Sequence, residues 1–145
     1  MTDAKVWCAG ELLLGGEASG PLVALGEPVS FWGGVDDETG AIIDRHHPQL
    51  GTVLAGTVLL MGATRGSSSS TSTLLECIRR ETSPAVLLLT DTDPMLVIAV
   101  AAAWEMYGHG PSVVLLSEKP DPDGVGHVRV DLDGRVLHAE AAVPS

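Results

Sequence analysis

The first third of the chain alternates short apolar runs with glycine and proline. Four such runs stand at Lys5–Cys8, Pro21–Leu25, Val29–Trp32 and Ala41–Ile43. Apolar runs cut by glycine and proline are typical of short strands joined by turns. We therefore predict that this third is β, with a hairpin loop at Asp36–Gly40 in which Gly40 takes a positive φ.

After Gly56 the apolar pattern predicts strands that alternate with helices. Three apolar runs are the candidate strands: Thr57–Met61, Ala85–Leu89 and Ser112–Leu116. One candidate helix runs from about Ser70 to Arg80, and a second ends near Tyr107. This alternation is the signature of βαβ units with a parallel sheet. Because Ala85–Leu89 is apolar on both faces, we expect other layers to cover both sides of that strand.

The second helix carries the clearest end signals. Asp93 is the predicted N-cap, Pro94 occupies the first helical position, and Gly108 is predicted to stop the helix. Asp91 and Asp93 also follow a strand, a position that suits a catalytic acid, but an N-cap is the simpler interpretation of Asp93. The body of the helix, Met95–Trp104, is apolar all round, which predicts a buried helix.

The end of the chain is predicted to be β again. Residues 127–132 and 135–139 flank the dipeptide Asp133-Gly134, which is the strongest short hairpin signal. The pattern as a whole predicts an α/β fold in a single domain over residues 1–145, with a βαβαβ parallel core and flanking β-hairpins.

Charge and cysteine content narrow the function classes. Eight Lys plus Arg against nineteen Asp plus Glu give a net charge of −11, which opposes binding to nucleic acid or to an anionic membrane surface. No apolar stretch is long enough to span a bilayer, and no leader pattern opens the sequence, so we expect a cytoplasmic protein. Cys8 and Cys77 lie far apart and outside any C-x-x-C pair, so we expect no metal site in this chain.

The candidate chemistry lies in the serine-rich segment Arg65–Thr73, which follows a predicted strand and opens a predicted helix. Free N–H groups and the positive end of the helix dipole favour a carboxylate or phosphate there, and Arg65 adds a bidentate donor. The alternative is a flexible serine-rich linker. No G-K-[ST] motif supports a nucleotide site, and no G-x-S-x-G motif supports a hydrolase. A serine alkoxide held by helix N–H groups and Arg65 could instead act as a base on a carbon acid.

Several motifs together resemble the swivelling-domain small subunit of the aconitase X family. They are Phe31–Asp36, Thr39-Gly40, Ile43-Asp44, His47-Pro48 and Arg65–Ser70. The resemblance implies the swivelling β/β/α domain and a serine base. The turn Gly66-Ser67-Ser68 matches the aconitase turn that supplies this base, which points to Ser67 as the catalytic residue.

The resemblance also implies the residues that bind substrate. The aconitase turn continues with an arginine where this chain has Ser69, so Arg65, before the glycine, is the substitute for the substrate carboxylate. Gly66 and Ser68 are expected to line the same site, and the family pattern suggests that Gly33 and Gly34 line the cleft. His46 and His47 are expected in a loop.

The activity implied is that of a hydro-lyase that dehydrates a 3-hydroxy acid. Family members combine this domain with a much larger one, fused or separate, that holds iron or an iron–sulfur cluster. We therefore expect no cofactor on this chain alone and a large aconitase X catalytic subunit as its partner. The expected substrate is cis-3-hydroxy-L-proline, with mevalonate 5-phosphate as the alternative. A non-catalytic anion-binding regulatory module is the rival class.

Overall fold

The computed structural model describes residues 5–27, 29, 31–62 and 68–139. Within these residues the strands are β1 Val6–Leu14, β2 Ala18–Ala24, β3 Val58–Met61, β4 Val86–Leu89, β5 Ser112–Leu116, β6 His127–Val130 and β7 Arg135–Ala139. The helices are α1 Phe31–Gly34, α2 Ser68–Arg79 and α3 Pro94–Tyr107. The predicted alternation of strand and helix after Gly56 is confirmed, with boundaries shifted by one or two residues.

The strands close into a barrel in the order β1-β5-β4-β3-β2-β6-β7. Strands β2, β3, β4 and β5 are parallel neighbours, with Leu59 opposite Leu87 and Leu87 opposite Val113. The other pairings, β1–β5, β1–β7, β2–β6 and β6–β7, are antiparallel. The predicted parallel core is therefore confirmed, and the flanking strands close it into a barrel.

The two faces of β4 pack against two separate cores. Leu87 and Leu89 belong to a cluster that includes buried residues of both long helices. Val86 and Leu88 belong to a second cluster, built from strands, that fills the barrel. Because side chains alternate along a strand and both sides are covered, all four are fully buried, as predicted for an entirely apolar strand.

Helix α3 begins and ends where predicted. The Asp93 carboxylate accepts a hydrogen bond from the N–H of Leu96 at 3.2 Å, and Gly108 ends the helix in the left-handed conformation with φ 74°. The prediction that the helix is buried is only partly correct. Val100 and Ala103 are fully buried, but Ile98 is 62% exposed. The reason is that α3 lies in the outer layer, so only the side toward the barrel and α2 loses contact with water.

The predicted strand at Val29–Trp32 is wrong, because residues 31–34 form the short helix α1. Val29 and Phe31 are 1% exposed, and α1 packs against α2. Gly33 turns the chain with φ 75°, which an extended strand does not accommodate. The apolar character of this run therefore reflects burial under α2 and not strand pairing.

The predicted strand at Ala41–Ile43 is reduced to isolated bridges, with Ile42 opposite Val35 and Ala41 opposite Val53. The predicted turn before it is confirmed. Gly40 has φ 77°, and the Asp36 carboxylate accepts a hydrogen bond from the N–H of Glu38 at 2.9 Å.

The hairpin predicted at the end of the chain is also confirmed. Strands β6 and β7 pair across the turn that contains Asp133 and Gly134, and Gly134 takes φ 82°. Among the residues with described positions, no helix has the length and apolar character needed to cross a membrane.

Candidate active-site cleft

The serine-rich segment joins the carboxyl end of a parallel strand to the start of a helix. Strand β3 ends at Met61, Gly62 follows it, and α2 begins at Ser68. Arg65, Gly66 and Ser67 lie outside the described residues, so their assigned roles stay predictions. In parallel α/β proteins ligands bind beyond the carboxyl ends of the strands, and Gly62 stands at such an end.

A cleft of about 420 Å³ opens at this edge of the barrel. Its described lining consists of Ala24–Glu27 after β2, Leu60–Gly62 at the end of β3, Thr90 and Asp91 after β4, and Lys119, Pro120 and Pro122 after β5. The lining comes from four segments far apart in the sequence because four parallel strands end side by side. The cleft is lined by Gly62, the last described residue before residues 63–67.

Charged side chains of both signs line this cleft. Asp91 lies beside Gly62, since a Cβ added to Gly62 would be 3.2 Å from Asp91 Oδ2. Glu27 and Lys119 are exposed on other parts of the lining. Within the described part of the chain, none of these three side chains is in an ion pair. They are therefore available to a ligand.

Arg79, the last residue of α2, and Arg80, which follows it, are both paired with a carboxylate and are therefore less available to a ligand. Arg79 and Arg80 both donate hydrogen bonds to the Glu76 carboxylate, and these bonds lower the pKa of Glu76 to about 2. This cluster lies at the carboxyl end of α2, and none of its residues is among the described residues that line the cleft. Basic groups at the carboxyl end stabilise the helix dipole, so a structural role accounts for both arginines.

Gly33 and Gly34 lie on α1, next to α2. Gly33 is exposed, and a Cβ added there would meet no described atom within 4 Å. Gly34 is buried, and its carbonyl accepts a hydrogen bond from the N–H of Ile43 at 2.9 Å. Neither glycine is among the described residues that line the 420 Å³ cleft, so their contact with a substrate stays a prediction.

The two cysteines behave as apolar residues. Cys77 is 1% exposed and Cys8 is partly buried. Burial raises the pKa of the Cys8 thiol to about 11 and also raises the pKa of Cys77. The described residues contain no group of three His, Cys, Asp or Glu side chains that could hold a metal ion.

Sequence reasoning singled out Asp91 but missed Glu27 and Lys119. Both stand in polar, turn-rich segments with no motif around them. They line the same cleft because β2 and β5 end at the same edge of the barrel. A local sequence pattern does not show which strands end together.

A family model described as the aconitase X swivel domain matches residues 8–138. The chain is 38% identical over 133 residues to a cis-3-hydroxy-L-proline dehydratase of Pseudomonas aeruginosa, covering 91% of this chain and 23% of that protein. It is 39% identical over 102 residues to the enzyme of the same name from Hypocrea jecorina, covering 70% of this chain and 17% of that protein. The chain thus spans less than a quarter of the length of these two relatives.

A third relative is similar to this chain over most of its own length. It is the phosphomevalonate dehydratase small subunit of Methanothermobacter thermautotrophicus, 33% identical over 118 residues that cover 81% of this chain and 88% of that subunit. Among solved structures, the holo-form of Thermococcus kodakaraensis aconitase X matches with a TM-score of 0.76 at 24% identity, covering 92% of this chain and 98% of that one. This match confirms the predicted swivelling-domain fold.

Proposed function

Since the chain belongs to the aconitase X swivel-domain family, we propose that it is the swivelling part of a hydro-lyase. In this proposal it joins a large aconitase X subunit that carries iron or an iron–sulfur cluster, and the two together dehydrate a 3-hydroxy acid. The observation that carries the proposal is the cleft at the carboxyl end of β3, the strand that precedes the serine-rich segment in the chain.

The proposed reaction removes a proton and a hydroxyl from neighbouring carbons. Ser67 takes the proton from the carbon next to the substrate carboxylate, and the hydroxyl leaves from the carbon beyond it as the double bond forms. A serine must be stabilised as an alkoxide to act as a base, and N–H groups at the start of α2 together with the Arg65 guanidinium would provide this stabilisation. A metal centre in the large subunit would supply a Lewis acid for the leaving hydroxyl.

The remaining predicted residues hold the substrate. Arg65 binds the carboxylate through its two parallel N–H donors. Gly66 lets the substrate approach the backbone closely, and the N–H of Ser68 faces the same anion. Gly33 and Gly34 are proposed to complete the lining once the large subunit is in place.

The carboxylates of Asp91 and Glu27 support cis-3-hydroxy-L-proline over mevalonate 5-phosphate. Both acids carry a carboxylate, but the first has a cationic ring ammonium and the second has an anionic phosphate. Asp91 and Glu27 supply two carboxylates against the single ammonium of Lys119 in the described lining. A pair of unit charges 4 Å apart is worth about 1 kcal/mol in water and about 4 kcal/mol near a protein surface. A carboxylate of the cleft would therefore attract the ring ammonium of the zwitterionic proline substrate and repel the phosphate of mevalonate 5-phosphate.

Mevalonate 5-phosphate remains the second candidate substrate because the chain resembles a phosphomevalonate dehydratase small subunit over 88% of that subunit's length. A regulatory module that binds an anion at the same helix start without turnover is the non-enzymatic alternative.

The test is co-expression of the chain with a large aconitase X subunit from the same genome, followed by iron reconstitution. We expect a stable hetero-complex that dehydrates cis-3-hydroxy-L-proline, and no turnover by the chain alone. Robust turnover by the isolated chain would refute its role as a subunit. Activity on mevalonate 5-phosphate alone would make that acid the assigned substrate. Binding of an anion without activity on either acid would favour the regulatory module.

A further inference from the structure

One wall of the cleft continues past the end of the sheet and is held there by side chains. The wall is formed by Ala24, the last residue of β2, and by residues 25–27, which follow it. The pairing of β2 with β3 ends where the N–H of Leu25 donates to the Leu60 carbonyl at 2.9 Å. The backbone groups of Ala24, Gly26 and Glu27 then meet two side chains from the loop at residues 44–50.

The amide of Gln49 binds the wall at two points. Its Nε2 donates to the Ala24 carbonyl at 2.9 Å, and its Oε1 accepts a hydrogen bond from the N–H of Gly26 at 3.0 Å. An amide side chain combines a donor and an acceptor at this spacing, which neither a carboxylate nor an ammonium does. Gln49 thus binds backbone groups on both sides of Leu25, at the point where the pairing of β2 with β3 ends.

The imidazole of His47 holds the next residue. His47 is 5% exposed, and its Nδ1 accepts a hydrogen bond from the backbone N–H of Gln49 at 3.0 Å. Because Nδ1 is an acceptor, the proton of the neutral ring is on Nε2, which donates to the Glu27 carbonyl at 2.9 Å. His47 therefore fixes both the wall and the loop that presents Gln49.

We infer that His47 and Gln49 are positioning residues for the dehydratase site. This inference rests on the proposed function, because it assigns them to the same cleft. They hold the wall that carries Glu27 on the lining shared with Gly62 and Asp91, which follow β3 and β4. Neither side chain is proposed to touch the reacting atoms. Their role is to keep the width and charge pattern of the cleft constant while the substrate binds.

The first readout is hydrogen exchange at residues 24–27, measured by mass spectrometry on the full chain, alone and assembled with the large subunit. Gln49→Leu removes both hydrogen bonds of the amide, so exchange there should accelerate. Gln49→Glu keeps an acceptor for the N–H of Gly26 but loses the donor to Ala24, so its effect should be smaller. His46→Gln is the matched control because His46 is the exposed neighbour of His47, and exchange should not change.

The second readout is the split between KM and kcat in the reconstituted complex. Displacement of a cleft wall disturbs substrate positioning. Gln49→Leu should therefore raise KM for cis-3-hydroxy-L-proline about tenfold and change kcat less. The KM of Gln49→Glu should lie between those of the wild type and Gln49→Leu. A purely structural role would lower the yield of assembled complex and leave KM unchanged.

The two proposals fail in different ways. An assembled wild-type complex that turns over neither acid overturns the proposed function. An active wild-type complex whose Gln49→Leu variant retains the wild-type KM overturns the positioning role alone, whether or not exchange at residues 24–27 accelerates.

Discussion

The carboxylate of Asp91 lies against Gly62, so that a Cβ at position 62 would be 3.2 Å from Asp91 Oδ2. Gly62 directly precedes residues 63–67, and the N–H of Thr90 donates to the carbonyl of Met61 at 3.0 Å. The ends of the adjacent strands β3 and β4 are thus hydrogen-bonded to each other just before residues 63–67. The Asp91 carboxylate therefore lies on the lining of the cleft next to Gly62.

Substitution of Asp91 by asparagine tests the charge argument for substrate choice. Asp91→Asn should lower kcat/KM for cis-3-hydroxy-L-proline about two- to fivefold, because an exposed charge pair contributes up to roughly 1 kcal/mol. The ratio of kcat/KM for mevalonate 5-phosphate to that for the proline substrate should rise. Asp123→Asn removes the same charge at an exposed position outside the described lining and should change neither value. An equal fall for both acids would contradict the charge argument.

Substitution of Ser67 tests the proposed base. Ser67→Ala should lower turnover by roughly 10²–10⁴-fold, the usual cost of a lost general base, with folding and assembly unchanged. Ser72→Ala is the control, since Ser72 is exposed on α2 and should affect activity little. Turnover of both variants is compared in the iron-loaded complex. If Ser67→Ala matches the wild type, the base is another serine or a residue of the large subunit.

Substitution of Arg65 by lysine tests its proposed role, because the two side chains differ in the geometry of their N–H donors. Arg65→Lys keeps the positive charge but loses the two parallel N–H donors that match a carboxylate. We expect KM to rise while the thermal stability of the chain stays the same. Calorimetry and steady-state kinetics on the same preparation separate the two quantities. A large loss of stability without a change in KM would assign Arg65 to the fold.

Closure of the barrel depends on a close backbone approach at Gly134. This residue has φ 82°, its carbonyl accepts a hydrogen bond from the N–H of Gly10 at 2.9 Å, and a Cβ there would overlap the Gly10 carbonyl oxygen. Gly134→Ala should lower the free energy of unfolding by about 1–3 kcal/mol or more. Gly124→Ala is the matched control, because φ there is 77° and the added Cβ would meet no described atom within 4 Å. Urea unfolding of both variants should show the larger loss at Gly134.

Burial of Cys8 makes its reactivity depend on pH and on folding. Burial raises the pKa of the Cys8 thiol from 9.0 to about 11, so the folded chain keeps the proton that the unfolded chain releases near pH 9. Alkylation of Cys8 at pH 9 should be roughly tenfold or more slower in the folded chain than in urea, because the thiolate is the reactive form. For the same reason this thiol should reduce stability as the pH rises from 9 to 11. Peptide mass spectrometry measures the rate at Cys8 separately from Cys77, and equal rates in the two states would contradict this prediction.

Local sequence patterns were sufficient to predict the helices and turns whose signals lie within a few residues of each other. Asp93, Pro94 and Gly108 mark both ends of α3, and Asp133-Gly134 marks the last hairpin. The all-apolar run at Ala85–Leu89 indicated a strand covered on both faces. The succession of a strand, a serine-rich segment and a helix is also a local signal, and the site that it predicts stays a prediction. Each of these signals involves neighbours within a few residues, where capping, turn geometry and side-chain periodicity operate.

Only the tertiary structure decided how distant segments meet. It turned Phe31–Gly34 into a helix under α2, exposed one side of α3, and closed the barrel through β1 and β7. It also brought Glu27 and Lys119 to one cleft and set His47 and Gln49 against its wall. These contacts are hydrogen bonds and packing between residues far apart in the chain, and they leave no periodic trace in the residues around them. Local signals in the sequence determined most of the helices and strands, whereas long-range contacts determined the barrel closure and the shape of the cleft.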